Sequence, residues 1–145
     1  MDTKTTPADT EKSISPPADL NESLGMVEMI SFDKETTCVR MEYEAKMAFC
    51  HSGGVVQGGF VTGWIDAAMA HSVIMATDHE MSPLSLEIKV TFLKSVSPGR
   101  VFAEGWIEKR GRSLCFLEGR LLNEAGEVLA KGTSTAKLVP ITPHQ

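Results

Sequence analysis

The stretch QGGFVTGWIDAAMAHSVIMAT, residues 57–77, contains no Lys, Arg or Glu, and its ionisable side chains are Asp66 and His71 alone. Val61, Trp64, Ile65, Ala68, Ser72 and Met75 recur at three- and four-residue spacing. They share one face, which predicts a single helix ~30 Å long at ~1.5 Å per residue. A helix on a protein surface normally carries a charged face, and one that lacks it is enclosed on most sides.

Around this helix the chain reads as strands. Upstream, Met26–Phe32 and Thr36–Tyr43 flank a turn at Asp33-Lys34-Glu35, and residues 44–56, with Ser52-Gly53-Gly54, read as a loop. Downstream, residues 84–94 alternate Leu86, Ile88, Val90 and Phe92 against Glu87, Lys89 and Thr91. After Ser97-Pro98-Gly99 come Val101–Lys109, Leu114–Leu122 and, beyond the turn at 123–127, Val128–Val139. The pattern is α+β: an antiparallel sheet with one long helix inserted before its meander. A sheet covered by one helix buries little on its second side, so a homo-oligomer, at least a dimer, is expected. Residues 1–20, rich in Thr, Ser, Pro, Asp and Lys, are expected to form a flexible tail, with the domain at 21–139 and a short C-terminal tail at 140–145.

Composition narrows the function classes. A chain of 145 residues is one domain's worth. Its net charge of −5 argues against non-specific nucleic-acid binding, which needs clustered Lys and Arg. No apolar run approaches the ~18 residues of a membrane span, and the N-terminus shows no hydrophobic signal region. Three scattered cysteines without CxxC spacing fit reduced thiols, and the expected location is cytoplasmic. His71 and His79 have no third ligand nearby, so no metal site is expected.

Asp66 is the residue out of place. A carboxylate on an otherwise uncharged helix loses hydration and has its pKa raised unless it gains donors. Such a group is a functional candidate, and an internal acid satisfied by local hydrogen bonds is the alternative. Gln57-Gly58-Gly59 stands at the start of the helix, where unpaired N–H groups and the positive dipole end favour a developing negative charge. Donors at the helix end and a carboxylate further along suit addition to a carbonyl.

The segment HSGGVVQGGFVTGWIDAAMAHS resembles the signature of hotdog-fold thioesterases of the phenylacetate-degradation type. That signature has an Asn, then HGG or QGG, then an acid seven residues after the second Gly. The similarity continues through SLEIKVTFLKSVSPGRVFAEGWIEKRGRSLCFLEGRLLNEAGEVLAKGTSTAKL and covers about residues 25–139. It implies a hotdog fold and hydrolysis of acyl-CoA thioesters to free acid and coenzyme A, with the site built across a subunit interface. Coenzyme A is part of the substrate, and no metal or other cofactor is needed.

By the resemblance, Asp66 matches the nucleophile or general base and Gly58 the backbone donor of the oxyanion hole. Gln57 stands near the thioester carbonyl, and Ser85 helps to position water. Gly59, Thr62, Trp64 and Met69 are expected beside the substrate, the last two lining an acyl tunnel. Arg110 and Arg112, flanking Gly111, stand where relatives bind the phosphates of coenzyme A; a solvated hairpin tip is the other reading. His51 departs from the pattern, since Asn or Gln is usual there. It raises a 3-hydroxyacyl-thioester dehydratase using His51 and Asp66 as one alternative, although the proline-rich segment that accompanies such a His is missing. A non-catalytic acyl-CoA binder or sensor is another alternative.

Overall fold

The computed structural model describes residues 19–142. Of the expected tails, residues 1–18 and 143–145 lie outside that range, while Asp19 and Leu20 belong to a short helix, α1 (Asp19–Ser23). The strands β1 (Met26–Phe32) and β2 (Val39–Ala45) follow, then a 3-10 turn (Met47–Phe49) and a two-stranded ribbon of β3 (Cys50–His51) and β4 (Val55–Val56). Helix α2 (Gly58–Ala76) precedes β5 (Met81–Phe92), β6 (Gly99–Arg110), β7 (Leu114–Asn123) and β8 (Val128–Pro140). The main sheet runs β1-β2-β6-β7-β8-β5, antiparallel throughout, with α2 laid across one face. This is the hotdog architecture that the family resemblance implies.

Helix α2 spans the predicted residues for local reasons. Gln57 Oε1 caps it by accepting the Gly59 N–H at 2.8 Å. At the other end the Thr77 hydroxyl donates to the Val73 carbonyl at 2.8 Å, and Asp78 (φ 51°) and His79 (φ 67°) turn left-handed. Val61, Trp64, Ile65, Ala68, Met69, Ser72 and Val73 are buried against the sheet. Met75, expected on the same face, is only half-buried.

The sheet lets the helix come very close. Gly105, Gly119 and Gly132 stand opposite one another on β6, β7 and β8, a row of missing side chains running across the strands. A Cβ on Gly105 would lie 2.5 Å from the backbone of Ala68 and Met69, and one on Gly119 or Gly132 would lie 3.0 Å from Ile65 Cγ2. The row forms a trough in which α2 rests, which fixes the height of Asp66 above the sheet.

Two strand starts differ from expectation by three residues. Strand β2 begins at Val39 rather than Thr36, because Thr37 (φ 62°) prolongs the turn. Strand β5 begins at Met81 rather than Leu84 and includes Pro83, which an edge strand tolerates because a missing N–H disrupts no central ladder. Part of the 44–56 loop is ordered as the end of β2, the 3-10 turn and the small ribbon.

The larger difference lies within β5. The alternation predicts Leu86 on the same face as Ile88, Val90 and Phe92. Instead the register against β8 slips between Ser85 and Glu87: Ser85 opposes Ala136, Glu87 opposes Thr135, and Leu86 is the extra residue of a β-bulge. Leu86 is consequently exposed, and Ser85, opposite the buried Ala136, takes the helix-facing position.

The outer face of the sheet carries ion pairs beside exposed apolar residues such as Leu84, Leu114 and Phe116. Arg40 and Arg120 donate to Glu104 at 2.7 and 2.8 Å, and Arg100 donates to Glu42 at 2.8 Å. Burial alone would raise the Glu104 pKa, but the hydrogen bonds from Arg120 and Arg40 outweigh it and hold the carboxyl below its ordinary range.

Candidate active site

Asp66 lies on the half-buried flank of α2, with Thr62 one turn before it and Ala70 one turn after. Its own sheet does not fully enclose it. Composition predicted little access to water on any face; the carboxyl is instead half-buried and open on one side. Its hydrogen-bond partner among the described residues is the Ser85 hydroxyl at 3.4 Å, a long contact. Burial raises the pKa of Asp66 above its ordinary value, and the Ser85 bond partly offsets this.

The pair gives a testable pH effect. Ser85→Ala removes the one donor that favours the ionised form. If turnover needs the carboxylate, the acid limb of the pH–rate profile moves to higher pH, with less than about a tenfold loss of kcat on the alkaline plateau, as for one weak hydrogen bond. A thiol-release assay across pH checks both; a profile superimposable on the parent's would show that Ser85 does not act on Asp66.

Gly58 is the first residue of α2. Its N–H has no intrahelical acceptor and finds no other among the described residues, whereas the next N–H is occupied by Gln57. The Gln57 side chain is thus engaged as a cap. Gly59 is exposed beside it. The approach at 58 is close: a Cβ there would meet the Phe92 ring at 3.1 Å, and the exposed ring would have to give by a few tenths of an ångström. Beside Gly58 opens a cavity of about 310 Å³, bordered by Val55, Val56, Val61, Phe92 and Leu93. None of these apolar residues was expected at the site. Phe92 carried the right face in the alternation, but nothing in the pattern signalled a cavity.

The remaining candidates are placed as follows. Trp64 and Met69 are fully enclosed. The Trp64 indole N–H donates to the Leu24 carbonyl at 2.7 Å, and its ring packs near Tyr43, Phe49 and Phe60. As placed, both are core residues and present no surface to a ligand, which corrects the expectation of an acyl tunnel along them. His51 is exposed on β3, its Nδ1 3.0 Å from the Ser52 carbonyl, and it makes no contact with Asp66. Arg110, Gly111 and Arg112 form the exposed β6–β7 tip. Arg110 shares a transverse row with Cys115, Ala136 and Ser85 across β6, β7, β8 and β5, three strand spacings or ~14 Å from Ser85. Among the described residues no group of three or more His, Cys, Asp or Glu is arranged to hold a metal ion, and no helix is long and apolar enough to cross a membrane.

The family model of the thioesterase superfamily matches residues 53–130, a span that includes Gly58, Asp66, Ser85 and the Arg110–Arg112 tip. The chain belongs to the thioesterase superfamily. This thioesterase-superfamily chain is similar to a phenylacetic acid degradation-related protein of Ralstonia eutropha, described as of thioesterase type. The two are 26% identical with a TM-score of 0.77, covering 90% of this chain and 97% of the other. A Saccharolobus solfataricus protein that carries the name of an esterase is 27% identical over 105 residues, 72% of this chain and 73% of its own length. A Streptococcus mutans protein solved with acetyl-CoA bound shares the fold at a TM-score of 0.69 and 21% identity, over 78% of this chain and 88% of that one.

Proposed function

We propose that this superfamily member hydrolyses acyl-CoA thioesters, with Asp66 driving attack on the carbonyl and the Gly58 N–H receiving the oxyanion. The observation that carries the reading is a half-buried carboxylate on an otherwise uncharged helix flank, next to Ser85, on a chain whose helix also offers an unsatisfied N–H at its start. Attacking directly, Asp66 forms a mixed anhydride that water then hydrolyses to the free acid; acting as a general base, it takes a proton from the attacking water and passes it to the departing thiolate. The carbonyl oxygen gathers negative charge, the C–S bond breaks, and the departing coenzyme A thiolate takes up a proton. The acetyl-CoA bound to the S. mutans relative supports the substrate class. The basic tip at Arg110 and Arg112 suits the phosphates of the same molecule.

The two halves of this machinery are too far apart within one chain. Asp66 follows Gly58 by eight residues, ~12 Å along the axis. One thioester carbonyl cannot meet both. A second copy lying against the open flank of α2 and the edge strand β5, where Leu84 and Leu86 are exposed, would bring its Gly58 to this chain's Asp66.

The test is complementation between two inactive variants, read by thiol release from a panel of acyl-CoAs. Asp66→Asn removes the carboxylate. Gly58→Pro removes the N–H, and its Cβ asks the exposed Phe92 ring to give by a few tenths of an ångström: proline is at home in the first helical position, and Gln57 (φ −65°, ψ 138°) already has the conformation that precedes proline. Each variant alone is expected to be nearly inactive. Dimers re-formed from an equal mixture regain about a quarter of parental activity, because half the dimers are mixed and each has one intact site. Parental protein that binds acyl-CoA without releasing thiol from any of them would instead make this a binder or sensor. A mixture that stays inactive would place both groups in one chain's site.

A further inference from the structure

We infer that the cavity beside Gly58 receives the acyl group, and that Phe92 sets the length and bulk of acyl group the enzyme accepts. This rests on the thioesterase reading above and extends it to substrate class. The cavity is continuous with the proposed carbonyl position, because Gly58 lines it while presenting the unpaired N–H. A thioester has two arms leaving the carbonyl. The pantetheine arm carries amides that need hydrogen-bond partners, and the acyl arm is hydrocarbon. Val55, Val56, Val61, Leu93 and Val96 offer hydrocarbon, with Val56, Val61 and Val96 buried. The apolar wall therefore fits the acyl arm and leaves the amides of the other arm for solvent and the polar rim.

Size narrows the class. A dry apolar cavity of ~150 Å³ holds benzene. The cavity here, about 310 Å³, is twice that. On the benzene scale, about 25 Å³ per carbon, it suits a phenyl ring with a short linker or a saturated chain of about ten to twelve carbons. An acetyl group would leave most of it unfilled, and a palmitoyl chain would overrun it. Phe92 is the adjustable wall. Its ring stands 3.1 Å from where a Gly58 Cβ would be, and it is 54% exposed, so it walls one side of the cavity without being locked in the core. Bulk at Phe92 decides how far a chain extends past the carbonyl.

The test compares the parent with Phe92→Ala and Val55→Phe on acetyl-, hexanoyl-, decanoyl-, phenylacetyl- and palmitoyl-CoA, with light scattering to confirm an unchanged oligomeric state. The parent is expected to favour decanoyl or phenylacetyl over acetyl by at least tenfold in kcat/KM. Phe92→Ala moves the optimum to longer chains, with about fourfold per methylene newly buried. Val55→Phe, which narrows the mouth, moves it to shorter ones. Binding of S-decyl-CoA, a thioether that cannot be hydrolysed, is measured in parallel. No turnover by any protein, but S-decyl-CoA binding that weakens in Val55→Phe, would sink the hydrolase reading and keep the acyl cavity. Turnover with the same chain-length profile in all three would overturn the cavity assignment and keep the hydrolase. Neither turnover nor binding would overturn both.

Discussion

Asp66→Asn is expected to lower kcat for acyl-CoA hydrolysis by about 10³-fold or more while the protein folds as well as the parent or better. Asparagine keeps the shape and can still contact Ser85, but it can neither attack the carbonyl nor accept a proton from water. The stability half of the prediction follows from the raised pKa of Asp66, which burial causes. A carboxyl with a higher pKa in the folded chain than in the unfolded one binds its proton more tightly when folded. Stability is unaffected at pH below the unfolded value, declines as pH rises towards the folded value, and stays lower above it. The variant lacks that decline. Its melting temperature should match the parent's in acid and exceed it at pH 7–8. Thermal melts across pH beside the thiol-release assay check both halves. A variant with full turnover would remove Asp66 from the chemistry, and one that melts earlier at neutral pH would make the carboxylate structural.

Gly105→Val is expected to be the most damaging single change to the fold. A Cβ at that position would fall 2.5 Å from the main chain of Ala68 and Met69, so no rotamer relieves the overlap. Either α2 lifts off the sheet or β6 bends away. Overpacking a core commonly costs about 1–3 kcal/mol where side chains can shift. Against backbone the loss should reach or exceed the upper end, lowering the melting temperature by roughly 10 °C. Lifting α2 would also carry Asp66 away from Ser85, so the surviving folded fraction should hydrolyse more slowly. A melting temperature within about 2 °C of the parent's would mean that the trough is not needed to seat the helix.

Much of this arrangement was readable in the chain. The helix was plain because apolar residues at helical spacing coincide with an absence of Lys, Arg and Glu, and one acid within such a run stands out by desolvation alone. The later strands announced themselves through alternation and glycine-bearing turns. What could not be read was set by contacts between distant segments. Trp64 looks equally like a substrate wall or a core residue until Leu24, 40 positions away, is found accepting its N–H. The cavity at Gly58 brings together β4, α2 and β5, which no local period reports. Burial of Asp66 was overestimated because composition counts charges on a helix but not how much of its circumference one sheet can cover.

Ser85 shows the limit most sharply, and the bulge at Leu86 has a genetic consequence. Side chains on a strand alternate like letters read two at a time, and the extra residue shifts that reading frame by one between the start of β5 and its end. Most substitutions at Leu86 would keep the frame. Deleting that single codon would keep it as well: Ser85 and Glu87 already oppose adjacent residues, Ala136 and Thr135, and would become neighbours in a regular ladder with every side chain on its present side. At this spot the loss of one residue should therefore be tolerated by natural variation far better than a one-residue deletion between Glu87 and Phe92, where the ladder is regular and everything before the gap would swap sides.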